Sequence, residues 1–296
     1  MANLKEIRSR IKSVQNTQQT TRAMKMVSAA KLRRAQESIE DLRPYALKLR
    51  GLLQNLSRAM ANAEVESPYL EPRESIENVL VIVVTSNRGL AGAFNANACK
   101  LGMERIQEYP EQLASGKLQV LCIGRKGHDF FRARGIPVLE SRNFDVFDGL
   151  SFDTVRQVAE RVMDDYAAGT YDRIELVYNE FKNVAVQERQ WETYLPVTVE
   201  AKKEEDDQQV DYLFEPGPDE ILTELIPRII KLNLFRAVLE SHAAEHGARM
   251  MAMDAATDNA QTLLNDLKLS YNKARQAAIT TEILEIVSGA NALEGG

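Results

Sequence analysis

The sequence predicts an α/β protein combined with a coiled coil: long helical arms at both termini and a small α/β sheet inserted between them. Three observations carry this. Residues 1–50 contain no glycine and a single proline, Pro44. From Asp219 to Ser288 the only punctuation is Pro227 and Gly247. Between the arms, β-branched apolar runs alternate with amphipathic stretches, the pattern of βαβ units.

The N-terminal arm has a heptad register. Counted from Leu4 it meets Ile7, Ile11 and Val14, then Leu32, Ala35, Ile39, Leu42, Ala46, Leu49, Leu53, Leu56 and Met60. The C-terminal arm repeats the pattern through Leu222, Leu225, Ile229, Leu232, Leu239, Ala243, Met250, Met253, Ala260, Leu264, Leu267, Tyr271, Ala274 and Ala278. A 3.5-residue period sustained this long specifies a coiled coil. At 1.5 Å per residue each arm would be about 90–100 Å long, which predicts a rod and therefore mechanics or scaffolding before catalysis.

Composition sets the remaining bounds. The 296 residues are 44% hydrophobic and 27% charged, the profile of a folding chain rather than a disordered one. The longest wholly apolar run, Val79 to Val84, is too short to cross a bilayer. The start, MANLKEIRSR, lacks an apolar core, so no secretory signal is expected, and heptads from Leu4 leave no room for an organellar presequence. Cys99 and Cys122 read as buried thiols in a reducing compartment. Net charge is −6, yet residues 1–50 carry twelve Lys/Arg against four acids. Such a basic arm suits an acidic protein partner or a solvated face; without Phe, Trp or Gly-rich elements, helix-turn-helix spacing or zinc ligands it does not suit nucleic acid.

In the middle segment, composition changes near Glu64, and Pro68 and Pro72 mark a linker. Expected domains are residues 1–62, 63–208 and 209–296. Val79–Thr85 reads as a buried parallel strand, followed by the turn Ser86–Gly92 and a helix to about Tyr109. Leu118–Ile123 and Ile136–Leu139 read as further strands, Phe152–Ala168 as a helix with Val155, Val158 and Val162 on one face. Arg173–Tyr178 and Trp191–Val197 complete the sheet around a hairpin-like excursion at Asn183-Val184-Ala185. Asp219 is the expected N-cap of the second arm, and Pro227 its kink or its true start.

Chemistry is sparse. Gly89 and Gly92 form neither a dinucleotide fingerprint nor a P-loop and read as structural glycines. Gly124-Arg125-Lys126-Gly127-His128 reads as a solvated corner rather than an anion site. His242 and His246 stand at i and i+4 but lack a third ligand, so exposed helix histidines are expected. No catalytic residue, cofactor or metal is expected.

The N-terminal heptads fail in one place, putting Gln18, Thr21, Lys25 and Ser28 on the seam. A polar break can fix register. It can also mark a segment that meets more than its partner helix, with Met24 and Met26 as adaptable contacts. The stretch Met250-Met251-Ala252-Met253 gives the other arm a similar patch.

These residues resemble a known family. Met24-Lys25-Met26-Val27-Ser28-Ala29-Ala30-Lys31-Leu32, the stretch 249–260 and the terminal Ile279-Thr280-Thr281-Glu282-Ile283-Leu284-Glu285-Ile286-Val287-Ser288-Gly289-Ala290 are similar to the gamma subunits of F-type ATP synthases. The turn Thr85–Asn95 is similar too, with Asn87 and Ala91 where that family often has Asp and Cys. The resemblance implies a long antiparallel two-helix coiled coil with an inserted Rossmann-like α/β domain. It implies a non-catalytic rotor shaft turned by the c-subunit ring, standing inside a hexamer of alpha and beta subunits and touching the epsilon subunit. By the same resemblance Met24, Lys25, Arg275, Gln276, Thr280 and Glu282 would meet beta subunits, and Tyr212 and Glu215 the c ring. The expected location is the cytoplasmic side of a bacterial inner membrane. The competing readings are a static coiled-coil scaffold with an α/β binding module, and a nucleotide-dependent enzyme using the Gly89–Gly92 turn.

Overall fold

The computed structural model describes residues 4–59, 67–70, 72–139, 143–197 and 218–294. The elements in order are α1 (Leu4–Ala59), β1 (Val79–Val84), α2 (Phe94–Gln107), α3 (Pro110–Ala114), β2 (Leu118–Ile123), α4 (Arg125–Arg132), a 3-10 turn (Asp145–Phe147), α5 (Phe152–Ala167), β3 (Arg173–Phe181), β4 (Gln187–Leu195) and α6 (Pro218–Glu294). The chain divides into two compact units. One comprises residues 1–28 and 250–296, the other residues 29–249.

The larger unit is built on a mixed four-stranded sheet of order β2-β1-β3-β4. β1 pairs in parallel with β2 and β3, and β4 closes the edge antiparallel to β3. All six residues of β1 are buried, because both faces of the strand are covered. Val79, Val81 and Val83 face Ala98, Leu101, Ile106 and Phe131 of α2 and α4. Leu80, Ile82 and Val84 face the other way, onto Val155, Val158 and Val162 of α5 and Ile226, Ile230 and Val238 of α6. The period-2 alternation of the strand thus divides one apolar run between two cores.

α6 is buried almost all round between Leu225 and Arg249, since it lies in the sheet's second layer. An all-round apolar helix is the expected form of a core helix. Pro44 and Pro227 lie inside continuous helices, so neither starts nor ends an arm. Three local expectations are corrected. α6 begins at Pro218, which is tolerated at a first helical position for want of an N–H to lose, so Asp219 is not the cap. Residues 136–139 contribute only a single bridge, Val120 to Val138, because four residues ending beside Gly135 and Pro137 cannot donate a full ladder. The last two strands are longer than expected. They form a hairpin in which the Asn183 carboxamide accepts from the N–H groups of Ala185 and Val186, an Asx-type turn.

In the smaller unit, residues 4–28 of α1 and 250–294 of α6 run antiparallel. Arg8 meets Tyr271, Gln18 meets Gln261, Thr21 meets Thr257 and Lys25 meets Asp254: as one number rises, its partner's falls. On α1 every heptad position from Leu4 to Ser28 is buried or half-buried, while nearly all others are exposed. On α6 the same holds for Met253, Thr257, Ala260, Leu264, Leu267, Tyr271, Ala274 and Ala278.

Candidate functional site

The polar break proves to be a paired ladder. Thr21 and Thr257 bring their hydroxyls to 2.8 Å in a buried contact. Each also reaches a carbonyl of its own helix, Gln18 and Met253 respectively, so two protons serve three contacts. Above and below, Gln18 donates to Gln261 at 2.9 Å and Lys25 pairs with Asp254. Ser28 is buried at the same seam. A slip in either direction would break all three observed pairs at once, so the ladder favours the native register. The Lys25–Asp254 pair is too exposed to contribute more than about 1 kcal/mol; its role is geometric.

Away from the seam, the same segment presents apolar side chains outward. Met26 is 62% exposed, and Val27 and Met251 are exposed beside it. Met24 is half-buried. Arg275, Gln276, Thr280 and Glu282 lie further along α6 and are exposed; Thr280 donates to the carbonyl of Gln276. Asp254 and Arg275 are about 20 residues apart, which is about 30 Å along one helix. The expected contact residues therefore fall into two patches, not one. Beyond Ala278, α6 has passed the level at which α1 begins, and Ile283, Leu284, Ile286 and Val287 stand exposed. Tyr212 and Glu215 lie outside the described residues.

In the larger unit, the place where an open α/β sheet binds ligands is the crevice beyond β1, between the outgoing connections to β2 and β3. Here that crevice is filled by the chain itself. Ala91 and Phe94 pack on Ala244 and Ala248 of α6. Arg249 donates to the carbonyls of Arg88 and Gly89, both at 3.2 Å. The floor is tied by Thr85, which donates to the Gly124 carbonyl and accepts from the Gly127 N–H. Gly124 is obligatory there: its φ is 119°, and a Cβ would lie 2.2 Å from the Thr85 oxygen. Asn87 spans the same corner, donating to the Phe144 carbonyl at 2.7 Å and accepting from the Arg125 N–H at 3.0 Å.

The histidines correct the sequence reading. His246 is buried and His242 half-buried, because this part of α6 is covered by neighbouring elements over most of its surface. Their Nε2 atoms are 3.1 Å apart, and His242 stacks on Phe147. Burial, with Lys31 and Arg249 nearby, lowers the pKa of His242 to about 4; burial, with His242 and Arg249, lowers that of His246 to about 3. Among the described residues no three His, Cys, Asp or Glu side chains converge as metal ligands. Cys99 and Cys122 are buried free thiols, pushed upward by burial, Cys99 to about 12. Sequence periodicity could not reveal the latch of Arg249 onto the Gly89 turn, because its partners lie 160 residues apart.

What these features define is a class: a two-helix stalk protein carrying an α/β insert whose ligand crevice is closed by its own helix. A family model described as ATP synthase matches residues 3–293. The chain is 51% identical to the ATP synthase gamma chain of Cytophaga hutchinsonii, with 99% of each chain covered. It is 50% identical to that of Flavobacterium psychrophilum over the whole of both chains. Among solved structures it is similar to a chain of the Euglena gracilis mitochondrial ATP synthase, with 22% identity, a TM-score of 0.63, and 99% of this chain and 95% of that chain covered. A chain in the central stalk and c-ring structure of the Tetrahymena thermophila enzyme gives a TM-score of 0.57 at 22% identity, covering 80% of this chain and 99% of that one. The chain belongs to the gamma-chain family of ATP synthases, the non-catalytic central-stalk rotor subunits of that complex. Among the described residues no helix is long and apolar enough to cross a membrane.

Proposed function

We propose that this chain transmits rotation of a membrane c ring to the catalytic beta subunits, coupling ion flow to ATP synthesis or hydrolysis. Its partners are then a hexamer of alpha and beta subunits around the paired helices, an epsilon subunit, and the ring. The location is the cytoplasmic face of a bacterial inner membrane. Met24 and Lys25 form one beta-subunit contact, Arg275, Gln276, Thr280 and Glu282 a second, and Tyr212 with Glu215 the contact to the ring.

The observation that carries this reading is the division of labour on the paired helices. Their mutual seam is fixed by the Gln18–Gln261, Thr21–Thr257 and Lys25–Asp254 pairs. Their outer faces leave Met26, Val27, Met251 and the apolar tip from Ile279 to Val287 exposed. A single asymmetric shaft in a threefold shell biases three sites differently, and differential interaction is what moves a conformational equilibrium. A static tether needs the seam but not the exposed apolar tip.

Co-purification tests the reading. The chain should appear once for every three alpha and three beta subunits, and membranes reconstituted with it should pump protons or sodium ions when given ATP. Recovery as a free scaffold, or pumping that persists without it, overturns the proposal.

A further inference from the structure

We propose that His246 is a positioning residue: through Arg249 it locks the Arg88–Gly89 turn to α6, so that the end of β1 and the helix move as one body under load. The proposal rests on the rotor reading above.

The turn needs such a restraint. Leu90 follows Gly89 with φ of 63°, a left-handed conformation unfavourable for a branched side chain, and it is exposed. Conformations of this kind persist only where the surroundings over-determine them. The restraint available is the Arg249 guanidinium. Its Nη2 donates to both turn carbonyls, at 3.2 Å each. Its Nη1 is shared between the Glu245 carboxylate and Nδ1 of His246.

Donor logic then orders the whole cluster. Arginine has no acceptor, so Nδ1 of His246 must accept. A neutral imidazole accepting at Nδ1 carries its proton on Nε2, which faces Nε2 of His242 at 3.1 Å and donates to it. His242 therefore keeps its proton on Nδ1, and its ring is braced by stacking on Phe147 at 5.9 Å. The result is a chain that starts at Arg249 and runs both ways: Arg249 donates to the turn carbonyls on one side and to His246 on the other, and His246 donates to His242, which stacks on the 3-10 segment. Burial keeps both rings neutral at physiological pH, so the chain is permanently wired. It also argues against a metal at this pair, since a metal would need the Nε2 lone pair of His246 that the chain assigns to a proton. Without an acceptor at position 246 the guanidinium can rotate fully onto Glu245, and the turn carbonyls lose their donor.

The test compares His246→Leu, which keeps volume and removes both hydrogen-bonding atoms, with His246→Gln, which restores an acceptor and a donor. Hydrogen exchange is followed in the full chain at the amides of Ser86 and Phe94, which close the turn. ATP-driven proton pumping per ATP hydrolysed is measured in the reconstituted complex. The Leu variant should exchange roughly five- to tenfold faster at both amides, the equivalent of one lost hydrogen bond, and pump less per ATP. The Gln variant should match the parent. Parent-like exchange and pumping in the Leu variant overturn the proposal, as does equal impairment of both variants, which would mean a packing role. If the Leu variant does not fold, Arg249→Lys reads the same lock: it keeps the charge beside Glu245 and loses the fork, and parent-like exchange there is again fatal. If the parent complex itself fails to pump, the rotor reading falls while the exchange comparison still judges the lock.

Discussion

Asn87 shows how much one side chain can settle. Its carboxamide donates to the Phe144 carbonyl and accepts from the Arg125 N–H, a pairing that needs both a donor and an acceptor. A carboxylate accepts only. Asn87→Asp should therefore cost about 1–3 kcal/mol, read as a lower urea midpoint at unchanged m-value, and an unaltered midpoint would refute this use of the amide. The buried imidazoles make a second prediction. Their folded pKa values, about 4 for His242 and about 3 for His246, lie below the ordinary 6.5. The unfolded chain therefore binds more protons below pH 6.5. The stability they contribute is whole above that pH and is lost as pH falls toward 4 and then 3. Each ring accounts for up to about 2 kcal/mol between pH 7 and 5. Burial raises the Glu245 carboxyl, which opposes the loss at the acid end. Urea titrations at pH 7 and 5 should show the drop in the parent and a shallower one in His246→Gln. The sequence showed the i, i+4 spacing of the histidines but not their burial. Spacing is a property of one helix, whereas burial depends on what covers it.

At the scale of elements, the heptad register read from Leu4 survives residue by residue through the polar break. Burial on α1 follows it without a slip. What periodicity could not supply is the partner of each polar seam residue, because pairing is a relation between two helices. The Thr21–Thr257 contact tests its energetics. Thr21→Val or Thr257→Val alone should cost about 1 kcal/mol, and the double variant less than their sum, since removing both polar partners leaves no group deprived. Strict additivity in a double-mutant cycle would show the two hydroxyls to be uncoupled. The tip of α6 predicts the opposite behaviour. Ile283, Leu284 and Ile286 are 55%, 59% and 71% exposed, so replacing each with serine should change the unfolding free energy of the isolated chain by no more than about 0.5 kcal/mol. If the tip seats in a partner, the same change weakens assembly or torque, as should deletion after Glu282. A truncated chain that assembles and couples like the parent would end the bearing idea.

For the whole molecule, the filled crevice beyond β1 decides between binding module and closed scaffold. Ala91, Phe94, Ala244 and Ala248 pack together there, and Arg249 donates to the Gly89 carbonyl. Equilibrium titration of the isolated chain with ATP or NAD should show no binding at micromolar concentrations, and tight binding would revive the enzymatic reading. By itself the sequence determined the two long arms, their register, the apolar strands and the family motifs. Each of these is written in the local period of side chains along one element. Only the tertiary structure decided which residues pair in the polar ladder between the arms, that α6 forms a layer of the sheet's core, and that Arg249 latches the turn beyond β1. The ladder and the latch depend on contacts between residues 236 and 160 positions apart, where chain order carries no record of distance.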